Sequence, residues 1–166
     1  MLTYNTLLDN STSELQVASA IKGLISAKDC QTIKVATGYW DIPGTAILLQ
    51  ELKAFLQKPG TRLQLLIGTD PVVRAAQLKS PKYKDAQTQS DFIRCDLQNL
   101  DVKEEYVEAV SLLKEFCLPD FDSSRIQIKM CKTDKDGTYR LFHAKCYIFL
   151  GNNYAKGIIG SSNFTQ

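Results

Sequence analysis

Leu141-Phe142-His143-Ala144-Lys145-Cys146-Tyr147-Ile148-Phe149-Leu150 is an apolar and aromatic run interrupted by one imidazole and one ammonium, two residues apart. His143 is the only histidine in the 166-residue chain. In a β-strand residues i and i+2 project from the same face, so His143 and Lys145 are expected to point the same way. Gly151-Asn152-Asn153-Tyr154 then reads as a tight turn, and Ala155 to Ile159 as a returning strand. That hairpin would carry Gly160-Ser161-Ser162-Asn163 back to the neighbourhood of His143 and Lys145. An imidazole, a fixed cation, a hydroxyl and a carboxamide converging on one point suit a phosphate group.

The spacing resembles the phospholipase D superfamily, whose mark is H-x-K-x4-D followed by G-S-x-N. His143-x-Lys145 and Gly160-Ser161-x-Asn163 match it, whereas Leu150 stands where the motif has aspartate. Phe-His-Ala-Lys-Cys-Tyr-Ile-Phe followed by Gly-Ser-Ser-Asn-Phe-Thr resembles the phospholipase D-like domains attached to DNA helicases and restriction endonucleases more than the lipases. The motif occupies about the last quarter of the chain, and the strand order upstream is compatible. The resemblance implies an α/β fold: a phospholipase D-like mixed β-sheet flanked by helices, spanning 1–166 as one domain with a single HxK repeat.

That single repeat matters, because enzymes of this superfamily generally build one active site from two H-x-K elements. The second would come from a twofold-related copy, making a homodimer the expected assembly. The chain is alternatively the amino-terminal part of a larger helicase or endonuclease. By resemblance His143 is the nucleophile that forms a phosphohistidine, and Lys145 and Asn163 hold the non-bridging oxygens. Ser161 adds a hydrogen bond, and Ser162 belongs with the substrate contacts. No metal cofactor is required by such a mechanism, since lysines supply the positive charge. The aspartate replaced by Leu150 is generally a supporting residue, so its loss alters support around the site without removing the chemistry.

Composition agrees with an ordinary globular domain, 44% hydrophobic and 23% charged. No apolar run reaches membrane-spanning length and no signal-like amino terminus is evident, so a cytoplasmic protein is expected. Five cysteines without paired spacing read as reduced, mostly buried thiols, and zinc is not expected. The net charge of +2 is small but unevenly spread. Pro71 to Arg94 has five basic residues against two acids, and Arg125 to Lys145 six against two. Asn99 to Asp122 has seven acids against two lysines. Two basic segments framing an anionic substrate fit a phosphodiester, with DNA the expected partner and no membrane. Sorting of solvated charge by helix face would give the same pattern.

Along the chain, Ser11-Thr12-Ser13-Glu14 is a capping box opening a helix to about Lys28. Gln31 to Tyr39 follows as a strand. A helix begins at Asp41-Ile42-Pro43, ends at Pro59-Gly60, and leads to a strand from Leu63 to Ile67, predicting a parallel βαβ crossover. Tyr39 and Trp40 stand at the carboxyl end of the first strand, where ligands commonly meet open α/β sheets; packing at the sheet edge is the plainer role for both. Asp70 to Leu97 is less regular: a helical turn at Arg74 to Leu78, a basic loop with Tyr83, and a weakly periodic helix from Asp85. The loop is suited to phosphate contact and base stacking. Asp101 to Cys117 is helical by periodicity, capped by Asp101 with Glu104, and is expected to cover the sheet on the side away from the site. Arg125 to Met130 alternates as a strand, and Lys132 to Thr138 is a turn.

Three functions fit: a nucleic-acid phosphodiesterase, a DNA-binding module of the same fold that has lost turnover, and a lipid phosphodiesterase. The last ranks lowest, because nothing reads as a membrane-binding helix or lipid anchor.

Overall fold

The computed structural model describes residues 8, 16–68, 71–86, 89–131 and 144–161. They run α1 (Val17–Ile25), β1 (Thr32–Thr37), α2 (Ile42–Ile47), α3 (Leu49–Gln57), β2 (Arg62–Ile67), α4 (Pro71–Lys79), a 3-10 turn (Pro81–Tyr83), α5 (Gln89–Gln98), α6 (Glu104–Phe116), β3 (Ile126–Met130), β4 (Lys145–Gly151) and β5 (Tyr154–Ile159). The strands form one mixed sheet in the order β3-β2-β1-β4-β5. The pairs β1–β2 and β2–β3 are parallel, and β4–β5 is an antiparallel hairpin laid antiparallel to β1. The chain is thus mixed α/β, and the βαβ crossover and closing hairpin stand as the residue pattern predicts.

Alternation sorts the sheet into two unlike faces. Ile33, Val35 and Thr37 of β1, Leu63, Leu65 and Ile67 of β2, and Lys145, Tyr147 and Phe149 of β4 are buried on one face. The apolar members of this set join Ile21 and Ile25 of α1, Leu52, Phe55 and Leu56 of α3, and Tyr106, Ala109 and Leu112 of α6 in a single core. Both parallel crossovers step the same way across the sheet, from β1 to β2 to β3. The common handedness of such connections therefore puts their helices on one side. This corrects the expected place of the acidic helix. α6 packs against α2 and α3, over the face that Lys145 occupies, rather than on the side away from it.

The opposite face is open among the described residues. Its register sets Ile148, Lys34, Gln64 and Gln127 in one row, and Cys146, Ala36, Leu66 and Lys129 in the next. Arg62 lies one row further along β2.

Local chemistry explains most boundaries. Asp41 caps α2, its Oδ1 accepting from the Gly44 N–H at 2.7 Å, with Pro43 in the first turn. The single helix expected from 41 to 59 is broken at Leu48, where the Leu48 N–H bonds back to the Thr45 carbonyl at 3.1 Å and to that of Ala46. Trp40 is the anchor of that break: its indole N–H donates to Thr45 Oγ1 at 2.9 Å. Gly60 ends the following turn at φ 77°, a left-handed conformation suited to glycine. At Gly151 the hairpin passes so close to the turn before β1 that a Cβ would lie 1.8 Å from the Asp29 carbonyl oxygen. Only glycine fits there, which fixes how the hairpin seats on the domain.

Three other expectations change. The described part of the first helix ends at Ile25, and the capping box at 11–14 lies outside the described residues, as does the turn at 132–138. The region from 71 to 79 is a nine-residue helix rather than one turn. α6 begins after Lys103 with no side-chain cap; Asp101 lies too far ahead and instead accepts the Lys103 N–H at its carbonyl, 3.0 Å away. The five cysteines are free thiols, but only Cys30 is fully buried, and burial pushes its pKa up to about 11. No helix among the described residues is long and apolar enough to cross a membrane.

Candidate functional site

Lys145 opens β4 and sits opposite Thr37, the last residue of β1. Because β4 runs antiparallel to β1, its first residue lies at the carboxyl end of the parallel strands. Ligands commonly meet sheets of this class at that end. The Lys145 side chain is only 6% exposed, on the helix-covered face beside fully buried Thr37. A lysine so deeply buried is rare, since removing an ammonium from water is costly.

The hairpin brings the second half of the motif to the same place. The Gly160 N–H donates to the Lys145 carbonyl at 3.1 Å, extending the ladder one step past β5. Ser161 follows directly and is exposed. A Cβ at Gly160 would meet nothing within 4 Å, so neither packing nor a positive φ accounts for glycine beside the buried lysine. Lys145, Gly160 and Ser161 thus meet at one end of the sheet. His143, Ser162 and Asn163 lie outside the described residues.

Leu150 is half-buried at the other end of β4, paired with Thr32. Five residues along a strand is about 17 Å, and an odd separation puts Leu150 on the face opposite Lys145. A carboxylate at position 150 would stand apart from the Lys145 ammonium, so leucine there leaves the lysine's surroundings unaltered.

Behind the site is a carboxylate that no sequence motif marks. Asp96 on α5 accepts from Tyr39 Oη at 2.7 Å, Lys82 Nζ at 2.9 Å and Gln77 Nε2 at 3.4 Å, and from the Tyr83 hydroxyl. It ties α4, the 3-10 turn and α5 to the loop leaving β1. Burial, then the bond to Asp96, holds the Tyr39 pKa well above the ordinary tyrosine value. Burial opposes charge on Lys82, but its bonds to Asp96 and Tyr83 outweigh that and raise its pKa. Tyr83 stacks on Phe92 at 5.4 Å between ring centroids, and the Arg74 guanidinium covers the Phe92 ring at 3.5 Å. These partners come from positions 39, 74, 77, 82, 83, 92 and 96, with no spacing that periodicity could expose.

The cluster also places the aromatic residues considered for substrate contact. Tyr39 is joined to the site through its backbone, where its carbonyl accepts from Thr37 Oγ1 at 2.6 Å, while its hydroxyl is turned to Asp96. Trp40 is 6% exposed and lines an apolar cavity of about 30 Å³ with Ile93, Asp96 and Leu100. That space holds roughly a water or two, not a base or a sugar. Tyr83, between Phe92 and Asp96, is likewise held in packing rather than presented for stacking. No group of three or more metal-binding side chains occurs among the described residues. Compared with models of protein families and with curated proteins, the sequence matches none.

Proposed function

We propose that this chain is a phospholipase D-like phosphodiesterase acting on nucleic acid, DNA foremost, through a covalent phosphohistidine. One observation carries the reading: buried Lys145 and the Gly160-Ser161 segment are joined backbone to backbone at the carboxyl end of the parallel strands. This is the juxtaposition that H-x-K and G-S-x-N need if they serve one phosphate.

In the proposed reaction a ring nitrogen of His143 attacks phosphorus, and the bond from phosphorus to one ester oxygen breaks. The matching histidine of a second copy protonates that departing oxygen, then removes a proton from water. The water attacks phosphorus, the P–N bond breaks, and His143 is restored. Lys145 and Asn163 neutralise charge on the non-bridging oxygens, and Ser161 donates a hydrogen bond. A preorganised cation in a site of restricted water is effective because its field is weakly screened. Trp40 has no substrate contact in this scheme, and Tyr39 acts by shaping the loop beside the site.

Labelled single- and double-stranded DNA incubated with the protein in EDTA, beside His143→Ala, tests the reading. Cutting that persists in chelator and vanishes in the variant is the expected result. Binding without cutting, equal in both proteins, would overturn turnover and leave a docking module. Hydrolysis confined to phospholipid would overturn the choice of substrate.

A further inference from the structure

The face of the sheet turned away from the core carries its own ordered chemistry. Ile148, Leu66, Ala36 and Cys146 make an apolar floor, with Lys34 on the central strand between Ile148 and Gln64, Lys129 beside Leu66 on β3, and Arg62 beyond. Lys34 and Lys129 are two strands and one row apart, about 12 Å between their backbone positions. Together with Phe121 these residues, Arg62 apart, bound an open groove of about 330 Å³. None of the five described strands contains an aspartate or glutamate, so no carboxylate within the sheet offsets the three cations.

The amide chemistry is also directional. Gln64 Nε2 donates to Gln127 Oε1 at 2.8 Å, and Gln127 Nε2 donates to the Phe121 carbonyl at 2.8 Å. Gln127 is thereby fixed and in turn holds Gln64, which lines the groove. The remaining N–H and the Oε1 of Gln64 form an adjacent donor and acceptor, the pair with which a glutamine reads a base edge.

We propose that this open face docks single-stranded nucleic acid, with phosphates on Lys34, Lys129 and Arg62 and bases lying over the apolar floor beside Phe121. The surface is separate from the Lys145 end and does not depend on cleavage there. Charge complementarity selects the occupant. A second copy meeting this face by twofold symmetry would oppose three cations to three cations, whereas a polyanion with flat apolar bases satisfies both floor and rim. Three phosphate contacts give a slope of log affinity against log salt of about −2 for a single strand.

The test is fluorescence anisotropy of a fluorescein-labelled 12-nucleotide oligothymidylate in EDTA, with all variants in the full-length His143→Ala chain to prevent cutting. Lys34→Glu with Lys129→Glu is expected to weaken binding on the order of tenfold or more and to flatten the salt slope by about 1.4. Lys53→Glu with Lys114→Glu makes the same charge change at exposed positions on the helices of the covered side, and is expected to alter affinity less than about threefold. Ile148→Asp, which spoils the floor and spares the cations, is expected to weaken binding as well. Equal loss in the two double variants, loss only on replacing Lys145, or no binding by the parent would each overturn the proposal. So would a preference for an acidic helical peptide over the oligonucleotide.

Discussion

The two faces of the sheet treat a lysine in opposite ways. On the covered face Lys145 lies among Thr37, Tyr147 and the helices, 6% exposed. On the open face Lys34 and Lys129 reach solvent from the same sheet. An exposed lysine costs a fold almost nothing, so the open-face cations gain meaning only from their arrangement around an apolar floor. A buried lysine has to be compensated by its surroundings, so its position is informative by itself. On the covered face a single residue draws notice; on the open face only a pattern does.

The sharpest way to break this contrast is Lys145→Met, which keeps the length of the side chain and removes the charge. Cleavage should fall by on the order of a hundredfold or more, while the variant keeps the circular dichroism and the single cooperative unfolding transition of the parent. Activity that survives in the folded variant, or loss of the cooperative transition along with activity, would make Lys145 structural. Calorimetry beside the cleavage assay separates these results. A smaller effect tests the faces themselves through neighbours on β4. Phe149 is fully buried and Ile148 is 37% exposed. Phe149→Ala should cost about 3–5 kcal/mol, and Ile148→Ala within about 0.5 kcal/mol, by urea unfolding. Similar losses at both would mean that the open face is packed against something in solution.

The parts of this fold that could be read in advance rest on short-range signals. Gly151-Asn152-Asn153 between two apolar runs specifies a hairpin, and Asp41 with Pro43 a helix start. The alternation in β1 separates Ile33 and Val35 from Lys34 without reference to anything distant. From this hairpin the meeting of Lys145 with Gly160 and Ser161 follows almost directly. The region from 71 to 98 was obscure because polar contacts through Asp96 hold it to the domain, and such contacts leave no period in the sequence. The side on which the acidic helix packs is hidden in the sequence for another reason. Its apolar stripe shows that it packs, but the side is set by which strand the chain joins next. Trp40 illustrates a third limit: the carboxyl end of β1 fixes its place in the chain but not whether its ring faces a ligand or, as here, Thr45 and the core.

The central claim is a bond between His143 and phosphorus. DNA carrying radiolabelled phosphate at a single internal linkage, mixed with the protein in chelator and quenched within the first turnover, reports it directly. The account predicts label attached to the protein that survives alkali, is released by acid, maps to His143 by mass spectrometry and is absent from His143→Ala. Full-rate cutting with no label on protein at any quench time would contradict it.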